Sequence, residues 1–256
     1  MSGLVLRDRV AIVTGGGSGI GRAIARRFAE AGARVVVAGR GEAAIGAVAA
    51  ETGGLALPCD VTQLDQVEAL FARAREWGGG CDVLVNNAGQ TGPVGALADV
   101  DLAAWRECVE VNLFGAMHCL RVAARIMGEQ GRGSIINMSS RMGLHGYPMR
   151  TAYSATKFAL IGMTEAVARE VGPRGVRVNA LCPGAVSGEL MERVIAARAA
   201  AEGRPPEEII RRDYTDSAAL RRWLSPEEVA ETALFLASDA SSAITGERIR
   251  VDCGRF

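Results

Sequence analysis

The sequence predicts an α/β fold built on a doubly wound parallel β-sheet with helices on both faces, formed by a single domain over residues 1–256. Two observations predict it. Short apolar segments rich in Val, Ile and Ala alternate along the chain with longer segments whose apolar residues recur at helical spacing. The 256 residues are 49% hydrophobic and 23% charged, which is typical of one compact domain, and no repeat or linker divides them.

The first half of the chain alternates strongly between the two kinds of segment. Residues 9–14 read RVAIVT and residues 34–38 read RVVVA, and both runs are short and apolar, as buried strands are. The segments between them place apolar residues on one helical face. The predicted strands are 9–14, 34–38, 54–59 and 82–86, and the predicted helices are 19–31, 42–51 and 63–77.

The second half repeats the pattern with longer helices. Gly172 and Pro173 are expected to end one of them, Gly172 as a left-handed cap and Pro173 because it cannot continue the backbone hydrogen bonding. Ser225 is expected to cap a final helix with Pro226 in its first turn. The predicted helices are 105–127 and 152–171, and the predicted strands are 134–138, 176–181 and 248–251.

Residues 185–224 interrupt the alternation. The segment contains Pro205 and Pro206, many charged residues and two weak helical patterns, and it is longer than a structural connection needs to be. It is predicted to form a mobile cover over a site, and the alternative is a surface insertion without a role. Its arginines, among them Arg198 and Arg211, fit either an anionic substrate or a solvated helix face.

Charge and cysteine usage exclude several classes of function. Lys plus Arg and Asp plus Glu number 29 each, so no net charge attracts nucleic acid or an anionic membrane. No apolar stretch approaches the ~18 residues that span a bilayer, and residues 1–9 are too short and charged for a secretion signal, so a cytoplasmic protein is expected. The six cysteines form no C-x-x-C pair and there are two histidines, so buried free thiols and no metal site are expected.

A glycine-rich segment lies between the first predicted strand and the first predicted helix. Glycine there lets the backbone approach a pyrophosphate, and the helix N-terminus offers free N–H groups and the positive end of its dipole. The spacing G-x-x-x-G-x-G differs from the broad dinucleotide pattern, and a plain tight turn is the alternative. The predicted phosphate-binding residues are Gly15, Gly17, Ser18, Gly19, Ile20 and Gly21.

The second predicted strand ends at Gly39 and Arg40. In dinucleotide-binding folds an acidic residue at this place accepts hydrogen bonds from the adenosine ribose, whereas an arginine accommodates a 2′-phosphate. Because Gly39 brings no carboxylate and Arg40 brings a cation, NADP is favoured as the cofactor. NAD stays possible, since Arg40 is also compatible with an ordinary solvated surface charge.

Tyr153 and Lys157 lie four residues apart on one face of the predicted helix 152–171. Lys157 is the one lysine among 29 basic residues, which marks it as a candidate for chemistry that a guanidinium cannot perform. An adjacent ammonium lowers the pKa of a phenol, so the two residues are a candidate acid/base pair, although Y-x-x-x-K is also common in purely structural helices. Ser140 is the candidate donor to a substrate oxygen, and Ser139 is the alternative.

These residues together resemble the short-chain dehydrogenase/reductase family in its compact form. Ordered motifs over nearly the whole chain carry the resemblance, including N-N-A-G at 86–89, the set Ser140, Tyr153 and Lys157, and the final V-D-C-G at 251–254. The resemblance implies a Rossmann-type fold that binds NADP(H) or NAD(H). Gly188 departs from a threonine common in the family, and Cys253 from a glycine. The further cofactor-binding residues that the resemblance implies are Asp60, Val61, Asn87, Ala88, Gly89, Tyr153, Lys157, Pro183, Gly184 and Val186.

The resemblance also implies a function, which is hydride transfer between the nicotinamide and a small or medium alcohol or carbonyl substrate. Tyr153 would exchange the proton, Ser140 would polarise the oxygen, and Asn112 would hold a water that relays protons to Lys157. A homo-oligomer, commonly a tetramer, is implied as well. Two alternatives remain open: a dehydratase or epimerase that oxidises its substrate transiently, and a non-catalytic NADP-binding regulator.

Overall fold

The computed structural model describes residues 4–255, apart from the side chains at positions 189, 190, 193, 197 and 200–202. Within these residues the chain forms a seven-stranded sheet in the order β3-β2-β1-β4-β5-β6-β7, in which every pair of neighbours is parallel. The predicted doubly wound parallel sheet is confirmed. The strands are β1 Val10–Thr14, β2 Arg34–Gly39, β3 Leu55–Pro58, β4 Val83–Asn86, β5 Gly133–Met138, β6 Val176–Pro183 and β7 Arg248–Val251.

Helices cover both faces of this sheet. Successive residues of β1 point to opposite sides, so that Val13 packs in one apolar cluster with Ile24 and Phe28, while Ile12 packs in a second with Phe71. The helices are α1 Gly19–Glu30, α2 Glu42–Thr52, α3 Leu64–Gly78, α4 Leu102–Val109, α5 Gly115–Gln130, α6 Thr151–Val171, α7 Glu189–Glu202, α8 Pro206–Ile209 and α9 Pro226–Ala237.

The direction of winding reverses between β1 and β4. β1 pairs with β2 on one side and with β4 on the other, and the connections from these strands leave towards opposite edges of the sheet. In open parallel sheets such a reversal leaves a crevice at the carboxyl ends of the two strands, where ligands bind. This edge positions the candidate site.

The helix predicted at 105–127 differs from the one observed. It begins earlier, because the Asp101 carboxylate accepts hydrogen bonds from the backbone N–H groups of Ala103 at 2.8 Å and Ala104 at 3.4 Å and so caps α4. It is also interrupted, since a π-helical turn at Glu110–Phe114 separates α4 from α5. Sequence periodicity did not reveal this turn, which is frequent at functional sites.

The end of α6 also corrects a prediction. Gly172 has a right-handed conformation with φ −53°, so it is not the left-handed cap that the sequence indicated. The chain continues into a short 3₁₀ turn at Gly172–Arg174, which the fixed φ of Pro173 allows, and Gly175 takes the left-handed conformation with φ +74°.

The predicted cover folds into α7, α8 and a π-helical turn at Ile210–Thr215. Several contacts hold it in place. Asp213 accepts a hydrogen bond from Arg198 at 2.6 Å, and the Tyr214 ring stacks on Trp223 with centroids 5.1 Å apart. At its base, Val186 and Leu224 form an isolated parallel bridge. That this segment moves over a site stays a prediction.

Two local predictions are confirmed. Ser225 and Glu228 form a reciprocal capping box at the start of α9, in which the Glu228 backbone N–H donates to Ser225 Oγ at 3.2 Å and the Ser225 backbone N–H donates to Glu228 Oε2 at 2.9 Å. The six cysteines are buried free thiols. Among the residues that the structure describes, no helix combines the length and the apolar character needed to cross a bilayer.

Candidate active site

Thr14, at the end of β1, joins the two strands that border the crevice. Its buried hydroxyl accepts hydrogen bonds from the backbone N–H groups of Asn87 and Ala88, both at 3.0 Å, and donates to the Val85 carbonyl at 3.3 Å. The Asn87 side chain adds bonds to the carbonyls of Thr14 and Gly15. These contacts place two predicted cofactor residues, Asn87 and Ala88, against the glycine-rich turn. No separate signal in the sequence indicates this role of Thr14.

The glycine-rich turn after β1 forms a glycine cradle, an open space that the side chains of larger residues would fill. A Cβ on Gly21 would lie 2.3 Å from the Gly15 carbonyl oxygen, and one on Gly16 would lie 2.8 Å from Val37 Cγ1. Gly19 has φ +50° and no atom within 4 Å of a built Cβ, so its backbone faces open space. Ser18 makes no side-chain cap on α1, so the first N–H groups of the helix remain available. The residues present therefore fit a pyrophosphate.

The predicted adenosine end of the site lies beyond β2 and β3. Arg40 is exposed, and no carboxylate of the described chain lies within ion-pair distance of it. The Asp60 carboxylate accepts hydrogen bonds from the backbone N–H and the hydroxyl of Thr62, at 3.0 and 2.9 Å. Val61 is buried, and its carbonyl lies 3.0 Å from His118 Nδ1 on α5.

Tyr153 and Lys157 face each other on α6 as predicted, with Lys157 Nζ 5.4 Å from the centroid of the Tyr153 ring. Lys157 is buried and donates to the Met138 carbonyl at 2.8 Å, which fixes its ammonium beside the end of β5. Burial lowers the pKa of Lys157 to about 8, since the ammonium is taken out of water.

The electrostatics of Tyr153 differ from those predicted. Burial raises the pKa of the Tyr153 phenol and outweighs its partners in the ligand-free chain. A side-chain hydrogen bond with Ser140 and the charge of Arg150 lower this pKa. The prediction assigned that effect to the Lys157 ammonium alone. Arg150, which the sequence analysis missed, is the cation that acts on the phenol here.

Ser139 and Ser140 differ in their hydrogen-bond partners, and this difference favours Ser140 as the donor. The buried Ser139 hydroxyl donates to the Lys157 carbonyl at 2.8 Å and is therefore committed to the helix. Ser140 Oγ accepts from the Met142 backbone N–H at 3.1 Å, which leaves its own proton free to donate. Of the two serines, Ser140 is the one whose side chain lowers the pKa of Tyr153.

Asn112 lies in the π-helical turn and is fixed by the loop after β4. Its Oδ1 accepts from the Gln90 backbone N–H at 2.7 Å, and its Nδ2 donates to the Gln90 carbonyl at 2.8 Å. A Cβ on Gly89 would lie 3.1 Å from Asn112 Oδ1 and 3.7 Å from Lys157 Nζ. Gly89 thus keeps open the space between Asn112 and Lys157, where the predicted water would lie.

Comparison with known proteins decides the family. A family model described as Enoyl-(Acyl carrier protein) reductase, of the short-chain dehydrogenase/reductase type, matches residues 15–255. The chain belongs to the short-chain dehydrogenase/reductase family. A 3beta-hydroxysteroid dehydrogenase of Mediterraneibacter gnavus is 38% identical over 96% of this chain and 94% of that protein. A cis-4-hydroxycyclohexanecarboxylate dehydrogenase of Sinomonas cyclohexanicum is 39% identical over 98% of both chains.

Solved structures give the same assignment. A polyketide ketoreductase for actinorhodin, solved with NADPH, superposes with a TM-score of 0.91 at 35% identity and covers 97% of this chain and 98% of its own. An NAD⁺-bound xylitol dehydrogenase superposes with a TM-score of 0.92 at 30% identity and covers 97% of this chain and 99% of its own. This short-chain dehydrogenase/reductase is therefore a nicotinamide-dependent oxidoreductase that acts on alcohol or carbonyl groups.

The backbone accounts for the first departure from the family pattern, at Gly188, but not for the second, at Cys253. Gly188 has φ +135°, which side chains rarely adopt, so a threonine would be strained there. Cys253 keeps the left-handed conformation that a glycine would favour, with φ +57°. The predicted residues Pro183 and Gly184 lie at the end of β6, where a Cβ on Gly184 would come within 2.8 Å of Asp252 Cβ. Val186 follows them at the base of the cover.

Proposed function

We propose that this enzyme is an NADP(H)-preferring alcohol dehydrogenase or carbonyl reductase for small or medium substrates, with Tyr153 as its general acid/base. One observation carries the proposal: Ser140, Tyr153 and Lys157 meet at the carboxyl edge of the sheet that also bears the glycine cradle. Proton-transfer groups beside a dinucleotide site at this edge are what hydride exchange with a carbonyl carbon requires.

Each side chain has a proposed task in carbonyl reduction. Ser140 donates its free hydroxyl proton to the substrate oxygen, and Tyr153 gives its proton to that oxygen as negative charge develops. The bound nicotinamide supplies the hydride. Lys157, with a pKa of about 8, exchanges protons near neutral pH, and Asn112 holds the water that passes them on. Alcohol oxidation uses the same groups in reverse.

The preference for NADP(H) rests on the end of β2. Arg40 is exposed, and no carboxylate of the described chain neutralises its charge. Its guanidinium is therefore available to pair with a 2′-phosphate. Gly39 offers no carboxylate to the ribose. The remaining predicted cofactor residues are proposed to contact the rest of the NADP(H) molecule. They run from Asp60 and Val61 to Pro183, Gly184 and Val186.

We also propose a cytoplasmic homotetramer. The cysteines are free thiols, as is usual in a reducing compartment. On α6, the residues Ala155, Phe158, Gly162 and Ala166 are exposed along one face, and small residues at this spacing let another helix approach closely. Phe158 is 45% exposed, which is high for so large an apolar side chain.

A substrate panel with both cofactors tests the function. Hydroxysteroids, 3-hydroxy acids, cyclic alcohols and diols, polyols and the matching ketones are each incubated with NADP(H) and with NAD(H), and absorbance of the reduced cofactor is followed. We expect net cofactor turnover, faster with NADP(H), for at least one class. Product formation without net cofactor turnover would indicate the dehydratase or epimerase, and tight NADPH binding without turnover of any compound would indicate the regulator.

A further inference from the structure

The Arg150 side chain lies against the ring of Tyr153, the proposed acid/base. It is the residue before α6, and its Cζ lies 5.2 Å from the centroid of the Tyr153 ring. Its Nη2 donates to the Thr91 carbonyl at 2.9 Å, which holds the guanidinium in place. Its Nε is buried and has no hydrogen-bond partner in the described chain. The side chain is therefore fixed over the ring rather than extended into solvent.

Arg150 has no acidic partner among the side chains that the structure describes. No carboxylate of a side chain that the structure describes lies within 4.0 Å of its guanidinium, whereas Arg141, also near the site, lies 3.8 Å from Asp252. A partly buried cation without a counter-ion is costly, because it has lost part of its hydration and gained no opposite charge. Such an arrangement calls for an anion that is absent from the resting protein.

The Tyr153 phenolate is such an anion, and its ring lies beside the Arg150 guanidinium. A guanidinium over an aromatic ring is attracted to the negative face of the ring, and this attraction grows when deprotonation spreads negative charge into it. We propose that Arg150 is a positioning residue whose guanidinium is the counter-ion of the Tyr153 phenolate. As a statement about catalysis this rests on the proposed function of Tyr153, and as a statement about ionisation it does not.

The other groups around Tyr153 do not replace Arg150. From the end of β5, Ser140 stabilises the phenolate through a hydrogen bond but brings no charge, and from α4 the Cys108 thiol opposes ionisation. Lys157 faces the ring on α6, but its pKa of about 8 means that it loses its charge as the pH rises. A guanidinium stays charged throughout this range. Above pH 8, Arg150 is the permanent cation of this set.

The proposal predicts how the enzyme changes when the charge is removed. In Arg150→Met the Tyr153 phenol should ionise about one pH unit higher, so alcohol oxidation near neutral pH should be about tenfold slower, with the profile displaced to higher pH. Carbonyl reduction uses the protonated phenol and should change less. In Arg150→Lys most of the wild-type profile should return, since the charge is kept.

The ionisation can be measured without a substrate. The chain has three tyrosines, so protein labelled with ¹³C at the phenolic carbon gives three resolvable signals, and Tyr153→Phe identifies the one from Tyr153. Wild type, Arg150→Met and Arg150→Lys are titrated upwards from neutral pH. Arg169→Met is the matched control: Arg169 is exposed on the same helix as Tyr153, about 24 Å along it from Tyr153 at 1.5 Å per residue.

We expect the Tyr153 signal to titrate about one pH unit higher in Arg150→Met, and to stay near its wild-type position in Arg150→Lys and Arg169→Met. Unchanged signals from Tyr147 and Tyr214 show that each variant is folded. Titration of Tyr153 at the wild-type pH in Arg150→Met overturns the proposal. A second result also overturns it: the only change in Arg150→Met is a higher KM for carboxylate substrates, which means that Arg150 binds substrate. Absence of turnover in the substrate panel removes the proposed function but leaves this titration decisive.

Discussion

At the scale of single residues, the site depends on charges that the fold removes from water. Lys157 is the clearest case, because its ammonium is buried beside the Met138 carbonyl and has no carboxylate partner within 4.0 Å among the described residues. Its burial costs folding free energy at every pH where the folded chain keeps it protonated. Burial also lowers the pKa of this proposed proton donor to about 8, closer to neutral pH.

This cost gives a prediction for stability against pH. The pKa of Lys157 falls from 10.5 to about 8 on folding, so between these values the unfolded chain binds a proton that the folded chain has released. The free energy of unfolding therefore rises with pH across that window, and the penalty is full below pH 8. In Lys157→Met this rise should be absent, and wild type should gain about 3 kcal/mol relative to the variant by the top of the window.

Urea unfolding of the cofactor-free proteins, between pH ~7 and ~10 at one protein concentration, measures the difference. Buried thiols with raised pKa values lower the free energy of unfolding over the same pH range. They do so in both proteins, so their effect cancels in the difference. A constant difference between wild type and Lys157→Met across the range would show that Lys157 titrates normally.

Arg40 gives a second prediction at this scale. If its guanidinium binds the 2′-phosphate, Arg40→Ala should lower kcat/KM for NADPH by about tenfold or more and leave kcat/KM for NADH nearly unchanged. Arg34→Ala is the control, since Arg34 is also exposed but begins β2, at the end of the strand opposite to Arg40. Equal effects of Arg40→Ala on both cofactors would argue against the assignment.

At the scale of elements, the turn from β1 to α1 depends on backbone approaches that only glycine permits. In Gly21→Ala the new methyl group would have to share the position of the Gly15 carbonyl oxygen, from which it is 2.3 Å in the present backbone. The turn must shift, so we expect the Kd for NADPH to rise by tenfold or more, at about 1.4 kcal/mol per factor of ten.

Gly46→Ala is the matched control for this prediction. Gly46 lies within α2, and a Cβ there meets no atom within 4 Å, so alanine should be neutral or stabilise the helix by about 0.5–1 kcal/mol. Isothermal titration with NADPH compares the two variants. Wild-type affinity in Gly21→Ala would show that the turn does not hold the phosphates.

The sequence predicted elements well where local rules act alone. The buried strands are continuous apolar runs, and the N-cap of α9 is visible as Ser225 followed by Pro226, so both were found. The return bond from Glu228 was not predicted. The π-helical turn around Asn112 was not found. The Asn112 side chain bonds to Gln90 in the loop after β4, and local periodicity does not reveal such a contact between distant segments. The conformation of Gly172 was missed because a proline also fits a continuing 3₁₀ turn.

At the scale of the whole molecule, the fold brings together residues far apart in the sequence. Tyr153 and Lys157 could be predicted from their spacing, and Ser140 from its place after a strand. Thr14 and Arg150 could not, since the role of each depends on a contact across elements, with the loop after β4 for Thr14 and with the loop at Thr91 for Arg150. A motif identifies reacting groups, and the tertiary structure identifies the groups that set their ionisation.

The exposed face of α6 gives a prediction about assembly. If this face packs against another subunit, Phe158→Asp should convert the tetramer into a smaller species, because an unpaired carboxylate would be buried at the contact. Leu64→Asp, on α3, is the control, since Leu64 is also an exposed apolar residue, at 36% exposure. Light scattering after size-exclusion chromatography gives the mass. An unchanged mass in Phe158→Asp would place the contact elsewhere or exclude it.

The catalytic claim is tested most directly by the kcat of Tyr153→Phe, measured at saturating cofactor with the best substrate of the panel. Removing one phenolic oxygen takes away the proton exchanged with the substrate and little else, so kcat should fall by about 10²- to 10⁴-fold while the Kd for NADPH stays within about threefold of wild type. A Phe variant that keeps most of the wild-type kcat would contradict the assignment of Tyr153 as the acid/base of this enzyme.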